Sequence, residues 1–390
     1  MIYTPLTIFA ILIAWSGFFF KTQFPFYRTK STFIVFIKQN SFYLIVIAWI
    51  IFIIDLLINQ NILSVETFSL ILLPTISAIF FRFFIFYNRY YANLIPLALI
   101  TKEMEKLTSD EPEMVLIKFE TENHIYPIAY LRINDIIYKK KQGKIPDYSL
   151  TFCVLCNTAH AYELPLIGEK QIEISSNNGT ILNGNKILAD RQGKYIWQQF
   201  TGKGLNQKTK NHPLKEIIIN RGIWEKFRKE YPAGLIYKGK RPLLSRFFFN
   251  QLANIMKNNE AFSFSSGRKD KRLKRKELVV GIEINGKSKA YPIKIFESEK
   301  TELIQDKISG IPITLIHRSE STYVYEGDGF RLQDTEITKG DKKWNITGKA
   351  LGNHDNLTSI NIIDIAYWYM WAKFNPETEI YETKRISMDN

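Results

Sequence analysis

The chain has 390 residues, a formal net charge of +14 and only two cysteines. This length allows one large domain or two medium domains beside any membrane segments, and two cysteines exclude a fold held together by a disulfide framework. The excess of lysine and arginine indicates anionic partners, although these residues are clustered in short stretches rather than spread along the chain.

Three apolar segments lie in the first 91 residues, at 2–20, 42–58 and 67–87. Each approaches the roughly 20 residues that a helix needs to cross a bilayer. No lysine or arginine precedes the first segment, which therefore lacks the basic start of a cleaved signal peptide. The sequence predicts a membrane region of three transmembrane helices over residues 1–91, in a multi-pass protein of the bacterial inner membrane with the lipid bilayer as a partner.

The charges beside these segments predict on which side of the membrane the rest of the chain lies. Basic residues occur between the first two segments, for example Lys21 and Lys38, whereas residues 59–66 contain none. The positive-inside rule then places everything after residue 90 in the cytoplasm.

Residues 92–112 are predicted to form a tether, and the composition changes after them. From Val115 onward apolar and polar residues alternate, with glycine and proline between the runs. This pattern is typical of short strands with few helices. The expected fold class is α+β, with the three transmembrane helices followed by a strand-rich soluble domain and a tail at 383–390.

The strand-rich region contains an internal repeat, with a first half at 113–237 and a second half at 277–382. Four segments recur in the same order: IYPI, LTFCVLCNTAHAYE, WQQFTGKGL and WEKFRKEYPAGLIY in the first half, and AYPI, ITLIHRSESTYVYE, WNITGKAL and WYMWAKFNPETEIY in the second. We therefore predict two homologous halves in one pseudo-symmetric unit, in which Trp197 corresponds to Trp344 and Trp224 to Trp368.

A basic linker, residues 238–276, joins the halves. The run GRKDKRLKRKE at its end holds seven basic residues, which could contact anionic lipid. RFFFNQLANIM, at 246–256, could lie on a membrane surface as an amphipathic helix. The basic run has no aromatic residues for stacking bases, so nucleic acid is not an expected partner, and a solvated linker is the simpler interpretation.

Both cysteines, Cys153 and Cys156, lie in SLTFCVLCNTAHAYEL, with His160 four residues after the second. Apolar neighbours place the pair on or just after a buried strand. The thiols could cycle between dithiol and disulfide, one attacking and the other resolving. Alternatively they could hold a soft metal such as Cu(I) or Zn(II), with His160 as a third ligand. A third interpretation is that they are simply two small core residues.

Residues 113–382 resemble the bacterial family with domain of unknown function 3179. The resemblance rests on the YPI element, the cysteine pair, the Trp and Thr-Gly element, the segment DKRLKRKELVVGI and the closing Trp, Pro and Tyr. It implies an exported or membrane-tethered protein, which conflicts with the loop charges, so both sides of the membrane stay open. Selenoprotein members of the family imply redox chemistry rather than structural metal binding.

The sequence departs from the family pattern near the cysteines. The family often has a histidine shortly after its YPI element, where Asn134 and Asp135 stand here. If that histidine serves as a base or ligand, His160 or another histidine must replace it, or the activity is lost. His317 of the second half falls at the position of Cys153, which makes it a candidate fourth metal ligand.

The leading interpretation is a membrane-anchored thiol oxidoreductase with an unidentified redox partner. Cys153 and Cys156 would be catalytic, and His160 would stabilise the thiolate. The alternatives are a Cu or Zn binding or delivery module with an unidentified metal partner, and a non-catalytic binding domain. For the leading interpretation we predict that the two thiols can bridge, that at least one has a lowered pKa, and that it is partly exposed.

Overall fold

The fold is mixed α and β, with helices at the start of the chain and strands after them. The computed structural model describes residues 4–21, 27–28, 41–59, 65–80, 90–139, 143–175, 180–239, 243–258, 270–296, 301–318, 321–361 and 363–382. Its α-helices are α1 (Pro5–Lys21), α2 (Ser41–Asn59), α3 (Val65–Phe80), α4 (Lys102–Asp110), α5 (Ile128–Leu131), α6 (Trp224–Glu230), α7 (Leu243–Asn258) and α8 (Trp368–Phe374), with 3-10 turns at Leu97–Leu99 and Ile293–Ile295.

The strands fall into two groups, one before the linker and one after it. Up to the linker they are β1 (Tyr27–Arg28), β2 (Tyr90–Tyr91), β3 (Leu94–Pro96), β4 (Glu113–Lys118), β5 (Asn123–Pro127), β6 (Ile136–Tyr138), β7 (Tyr148–Cys153), β8 (Thr158–Glu163), β9 (Leu166–Ile167), β10 (Lys170–Gln171), β11 (Thr180–Leu182), β12 (Asn185–Ala189), β13 (Ile196–Gln198), β14 (Glu216–Ile217), β15 (Ile219–Ile223) and β16 (Leu235–Tyr237). After it they are β17 (Leu278–Ile284), β18 (Lys287–Pro292), β19 (Thr301–Ile308), β20 (Ile311–Arg318), β21 (Ser321–Glu326), β22 (Arg331–Gln333), β23 (Glu336–Lys339), β24 (Lys342–Asn345), β25 (Ile363–Tyr367) and β26 (Glu379–Ile380).

The first three helices correct the membrane prediction. Among the described residues, none of the helices combines the length and the apolar character needed to cross a membrane. α1 has 17 residues and α3 has 16, including Pro74, so at about 1.5 Å per residue both are shorter than the roughly 30 Å hydrocarbon core. α2 contains Asp55, which accepts a hydrogen bond from Thr4 Oγ1 at 2.6 Å. The predicted three transmembrane helices, and the multi-pass localisation derived from them, are therefore wrong.

Residues 92–112, predicted as a tether, are instead part of the fold of the first half. β3 pairs antiparallel with β16 at the edge of a five-stranded sheet. α4 begins at a Thr101 N-cap, whose side chain accepts a hydrogen bond from Met104 N, and buries Met104 in the core of the first half. Residues 92–112 therefore pack, through β3 and α4, against the sheet of the first half.

Both halves use the same sheet topology. One sheet of the first half has the order β15-β4-β5-β16, and its counterpart in the second half has the order β25-β17-β18-β26. In both, the strand β16 or β26 runs parallel to the second hairpin strand, β5 or β18. The series β6-β7-β8 corresponds in the same way to β19-β20-β21. This shared strand order supports the predicted repeat.

The matched tryptophans occupy corresponding places in the two halves. Trp197 donates from Nε1 to the His212 carbonyl at 2.7 Å, and Trp344 donates to the Asp355 carbonyl at 2.8 Å. Trp224 begins α6 directly after β15, and Trp368 begins α8 directly after β25. A superposition that placed these pairs in unrelated positions would contradict the duplication.

The halves pack directly on each other, with β15 beside β21 and β25 beside β8. Asn220 Nδ2 donates to the Thr322 carbonyl at 3.3 Å, and the Tyr323 hydroxyl donates to Glu230 at 3.0 Å. The approach is close at Gly222, where a Cβ atom would lie 2.3 Å from Ser321 Oγ. Because β8 follows the cysteine pair, this interface lies next to the predicted site.

The linker packs on the second half where the structure describes it. Arg272, Arg275 and Lys276 lie over the rings of Trp368, Tyr369 and Tyr367, at 5.2, 5.7 and 4.9 Å from the ring centroids. The apolar segment predicted to lie on a membrane surface forms α7, and its Met256 is buried in the same cluster as the cysteines. Contact of the linker with anionic lipid stays a prediction.

Candidate dithiol site

A tight hairpin brings the two sulfurs together. β7 and β8 pair antiparallel, with Cys153 opposite Thr158, and residues 154–157, here called the thiol loop, connect them. Cys156 N donates to the Cys153 carbonyl at 3.2 Å, and Asn157 completes the turn with a φ of 58°. The two Sγ atoms are 2.9 Å apart. A disulfide needs about 2.05 Å, so a small side-chain movement would bridge them.

A second turn supplies polar contacts to Cys156. Asn183 and Gly184 connect β11 to β12 with φ values of 54° and 83°, the left-handed pair that a two-residue type I′ hairpin requires. The turn places the Gly184 carbonyl 3.4 Å from Cys156 Sγ and the Asn185 side chain, which donates from Nδ2, 3.2 Å from it. Cys156 Sγ therefore contacts two polar groups.

The Asn185 amide is itself held in place by four hydrogen bonds. Its Nδ2 also donates to Gln199 Oε1 at 2.6 Å, and its Oδ1 accepts from Gln198 Nε2 at 2.6 Å and from Phe200 N at 2.9 Å. Gln199 in turn donates to Thr151 Oγ1 at 3.1 Å. The donor to Cys156 is thus preorganised by the surrounding network.

The environment drives the pKa values of the two thiols apart. Burial raises the pKa of Cys153, but the hydrogen bond from Cys156 and the positive charge of Lys186 outweigh it and lower the pKa to about 7. The pKa of Cys156 is raised well above its ordinary value, chiefly by burial and then by its sulfur neighbour, despite the Asn185 hydrogen bond. Cys153 is therefore the thiol that ionises first, with Cys156 as its proton-bearing partner.

Lys186 connects this pair to a buried carboxylate. Its Nζ lies 3.6 Å from Oδ1 of Asp135, a fully buried carboxylate. Ser175 Oγ also donates to Asp135, at 3.4 Å. Asp135 thus supplies a fixed counter-charge that orients the lysine.

Both thiols are completely buried, which contradicts the prediction that at least one is partly exposed. Their cluster includes Trp368 and Met370 of α8 and Met256 of α7. The Tyr369 hydroxyl donates to the Leu155 carbonyl at 2.5 Å, and Tyr367 N donates to the Cys156 carbonyl at 3.0 Å. The second half and the linker therefore cover the site that the first half builds.

His160 lies near the pair but does not contact it. On β8 it lies opposite Thr151, two residue pairs from Cys153 and Thr158, and on the same face as Thr158. Its Nδ1 bonds to Glu216 Oε1 at 2.8 Å, and its ring stacks on Tyr162 with centroids 5.8 Å apart. Within the described residues it makes no hydrogen bond to either sulfur, so Lys186, rather than His160, supplies charge to the thiolate.

The structure gives no support to a metal site. In the described part of the chain no group of three or more His, Cys, Asp or Glu side chains is arranged to hold a metal ion. His317, the candidate fourth ligand, bonds through Nδ1 to Thr322 Oγ1 at 3.0 Å and stacks on Phe296 at 4.3 Å between centroids. The Cu or Zn alternative built on Cys153, Cys156, His160 and His317 therefore lacks a ligand arrangement.

Burial of His317 predicts a pH dependence of stability. Burial, and then the charge of Lys226, lower the pKa of His317 to about 4 from 6.5. The unfolded chain binds a proton there between these two values and the folded chain does not, so the free energy of unfolding falls as the pH drops from about 6.5 towards 4. We expect His317 to account for a loss of about 2 to 3 kcal/mol. Urea unfolding of the native protein and of His317→Gln at several pH values measures this loss. If the free energy of unfolding changed equally with pH in both proteins, the prediction would be contradicted.

The sequence did not indicate which polar residues lie around Cys156. Asn185, Lys186 and Gln199 come from β12 and from the turn after β13, about 30 or more residues beyond the cysteines. The Asn183-Gly184 dipeptide is a strong hairpin signal and could have located the turn, but nothing local indicates that this turn faces the thiol loop.

The fold and the site define a protein of mixed α and β structure, with two buried thiols where its two halves meet. Residues 97–378 match the family described as "Protein of unknown function (DUF3179)", and the chain belongs to that family. No curated protein and no solved structure matches it.

Proposed function

We propose that this protein is a thiol–disulfide oxidoreductase in which Cys153 attacks and Cys156 resolves. The observation that supports it most is the pairing of two sulfurs 2.9 Å apart with pKa values displaced in opposite directions. A nucleophilic thiol needs a pKa near ambient pH, and a resolving thiol needs to stay protonated until a mixed disulfide has formed. Two core residues without a chemical role do not need sulfurs within reach of a disulfide.

Complete burial favours a small disulfide as the oxidised substrate. The Cys153 thiolate attacks one substrate sulfur, the substrate S–S bond breaks, and one substrate thiolate leaves. Cys156 then transfers its proton to the departing thiolate and attacks Cys153 Sγ in the mixed disulfide, which releases the second substrate sulfur as a thiolate that takes a proton from water. The substrate gains two electrons, the protein holds the Cys153–Cys156 disulfide, and a small dithiol returns it to the reduced form.

The neighbouring residues have distinct parts in this scheme. Lys186 lowers the pKa of Cys153 by its charge, and Asp135 positions Lys186. Asn185 holds Cys156 Sγ in place at 3.2 Å, which keeps the resolving sulfur beside the attacking one. Lys186, Asp135 and Asn185 are positioning residues, since none of them forms or breaks a bond in this scheme.

Equilibration of the folded protein with mixtures of reduced and oxidised glutathione tests the proposal. After acid quenching, alkylation and mass spectrometry, we expect loss of two hydrogens at one disulfide between Cys153 and Cys156. Cys156→Ser is expected to accumulate the glutathione mixed disulfide at Cys153, and Cys153→Ser to form no mixed disulfide. If the native thiols stay reduced across the whole series, while the unfolded chain oxidises, the proposal fails.

Lys186→Gln tests the cause of the asymmetry. Loss of the positive charge should raise the pKa of Cys153, so the thiolate fraction at pH 7 falls and oxidation slows about fivefold. His160→Gln is the matched control, because this side chain has no bond to either sulfur in the described structure. Thiolate absorbance against pH gives the pKa directly. Equal pKa shifts in the two variants would contradict the role of Lys186.

A further inference from the structure

A chain of four hydrogen-bonded side chains runs into the core of the first half, apart from the two sulfurs. His124 Nε2 bonds to Glu122 Oε1 at 2.9 Å, and His124 Nδ1 bonds to the Tyr148 hydroxyl at 2.6 Å. The Tyr148 hydroxyl bonds in turn to that of Tyr126 at 2.6 Å. His124, Tyr148 and Tyr126 are all 0% exposed, whereas the Glu122 side chain is 23% exposed. The chain therefore connects buried phenols to the surface.

The hydrogen bonds fix the position of each proton in this chain. A carboxylate only accepts hydrogen bonds, so Nε2 of His124 carries a proton. Nδ1 of the neutral ring then has a free lone pair, to which the Tyr148 hydroxyl donates. The Tyr148 oxygen accepts in turn from the Tyr126 hydroxyl. Tyr148 therefore points its proton at a basic nitrogen that the Glu122 carboxylate holds in place.

Burial keeps both phenols protonated at neutral pH. The pKa of Tyr148 is raised well above its ordinary value, chiefly by burial and then by Tyr126. Burial likewise raises the pKa of Tyr126. Tyr148 can thus give up its proton only when some other change makes the phenol much more acidic. Removal of one electron is such a change, because it leaves a positive charge on a buried phenol.

Aromatic rings connect Tyr148 with neighbours that lie nearer the surface. Its ring stacks on that of Tyr138, which is 7% exposed, with centroids 4.9 Å apart. The Tyr126 ring lies 6.5 Å from that of Tyr148 and 5.7 Å from that of Tyr237. Aromatic rings at these separations are in direct contact. An electron can therefore leave Tyr148 through an adjoining ring, while its proton leaves through the hydrogen bond.

The second half shows that the fold does not require this chain. Tyr291 has the place of Tyr126 in the repeated YPI element, and Lys289 has the place of His124. Tyr291 donates directly to Asp306 at 2.7 Å, and Lys289 Nζ lies 2.7 Å from the same carboxylate. These two contacts outweigh burial and lower the pKa of Asp306, which makes it a poor proton acceptor. Imidazole is a stronger base than a carboxylate, so only the first half joins its phenol to a good acceptor.

We propose that Tyr148 is a redox site that gives an electron to a one-electron oxidant and its proton to His124. The O–H bond of Tyr148 breaks, Nδ1 of His124 gains the proton, the oxidant gains the electron, and a neutral tyrosyl radical remains. The Glu122 carboxylate then stabilises the imidazolium. Burial separates the radical from solvent and from other radicals. The dithiol exchanges electrons in pairs and lies in a different cluster, so neither proposal depends on the other.

Flash photolysis of the full chain tests the site, with photogenerated ruthenium(III) tris-bipyridine as the oxidant. We expect a slowly decaying tyrosyl radical in transient absorbance and in freeze-quench electron paramagnetic resonance, whereas radicals at exposed tyrosines disappear rapidly by coupling. Tyr148→Phe should abolish the slow signal. Tyr325→Phe is the matched control and should retain it, because the buried Tyr325 hydroxyl donates to the Ile346 carbonyl at 2.9 Å, and a backbone carbonyl is not a base.

His124→Gln tests the proton acceptor separately. The glutamine amide oxygen can accept the same hydrogen bond but cannot take up the proton, so radical formation should slow about a hundredfold. The native protein provides a further measurement without any substitution. Because the proton moves with the electron, radical formation should be slower in heavy water than in ordinary water.

Three results would overturn the proposal. They are a slow signal of equal size in Tyr148→Phe and the native protein, an unchanged rate of formation in His124→Gln, and equal rates in heavy and ordinary water. Circular dichroism confirms that each variant keeps the fold, and the heavy-water comparison decides the question if Tyr148→Phe does not fold. The radical signal is read at tyrosine and not at sulfur, so failure here leaves the oxidoreductase proposal intact.

Discussion

Trp371→Ala is expected to lower the free energy of unfolding by about 3 to 5 kcal/mol. The side chain is fully buried in the cluster that covers the cysteines. Its Nε1 donates to Thr378 Oγ1 at 2.9 Å, so truncation removes a hydrogen bond as well as a large apolar surface. Urea unfolding followed by circular dichroism measures the loss. Leu166→Ala, at an exposed site, is the control and should change stability by less than about 0.5 kcal/mol.

The contact between Gly281 and Trp371 allows a second test of the same packing. A Cβ atom at Gly281 would lie 2.2 Å from Cζ3 of Trp371, so Gly281→Ala should also destabilise the protein. In the Trp371→Ala background the obstacle is absent, and the added methyl occupies part of the vacated space. A double-mutant cycle is therefore expected to show strong non-additivity, with Gly281→Ala costing less in that background. Additive losses would show that the two residues do not pack as described.

Arg221→Met is expected to lower the free energy of unfolding by about 3 kcal/mol and to speed alkylation of the thiols. Arg221 Nη1 donates to the Asn157 carbonyl at 2.8 Å and to the Ile365 carbonyl at 3.2 Å. These carbonyls belong to different halves, and both residues have left-handed backbones. Removal of the donor takes a hydrogen bond from two part-buried carbonyls, of which that of Ile365 keeps the bond from Asn157 Nδ2. Loss of such a bond typically costs about 1 to 3 kcal/mol for each acceptor.

Two matched variants separate this effect from loss of charge. Arg132→Met removes a guanidinium that is 23% exposed and paired with Glu113, and we expect it to cost less than about 1 kcal/mol. Arg221→Lys keeps the charge but loses the planar fork that reaches two acceptors, so its stability should lie between wild type and Arg221→Met. If Arg132→Met proved as harmful as Arg221→Met, the bridging role would be refuted.

Local pattern was enough to predict the arrangement of the cysteines within their own hairpin. The alternating residues around Cys153 predict a strand, and two residues between the thiols allow a turn that returns Cys156 to Cys153. The shared spacing of the Trp and Pro residues in the two halves likewise predicted corresponding elements. These features depend on neighbours in sequence, which a pattern of apolar and polar residues records.

Long-range packing could not be predicted in this way. Tyr369 lies more than 200 residues from Leu155, whose carbonyl it contacts, and no periodicity indicates such a contact. The apolar segments at the start of the chain were misjudged for a related reason. Their composition resembles that of a membrane span, but helix length decides whether a segment can cross, and helix ends are among the least certain features of a sequence.

Complete burial of both sulfurs beneath α8 has a kinetic consequence. A reagent can react only while the covering residues have moved away, so reaction competes with reclosure during each opening. At low reagent concentration the observed rate rises in proportion to concentration, and at high concentration it levels off at the rate of opening. The frequency with which α8 separates from the thiol loop, and not the intrinsic nucleophilicity of Cys153, then sets the fastest rate at which a reagent can modify Cys153.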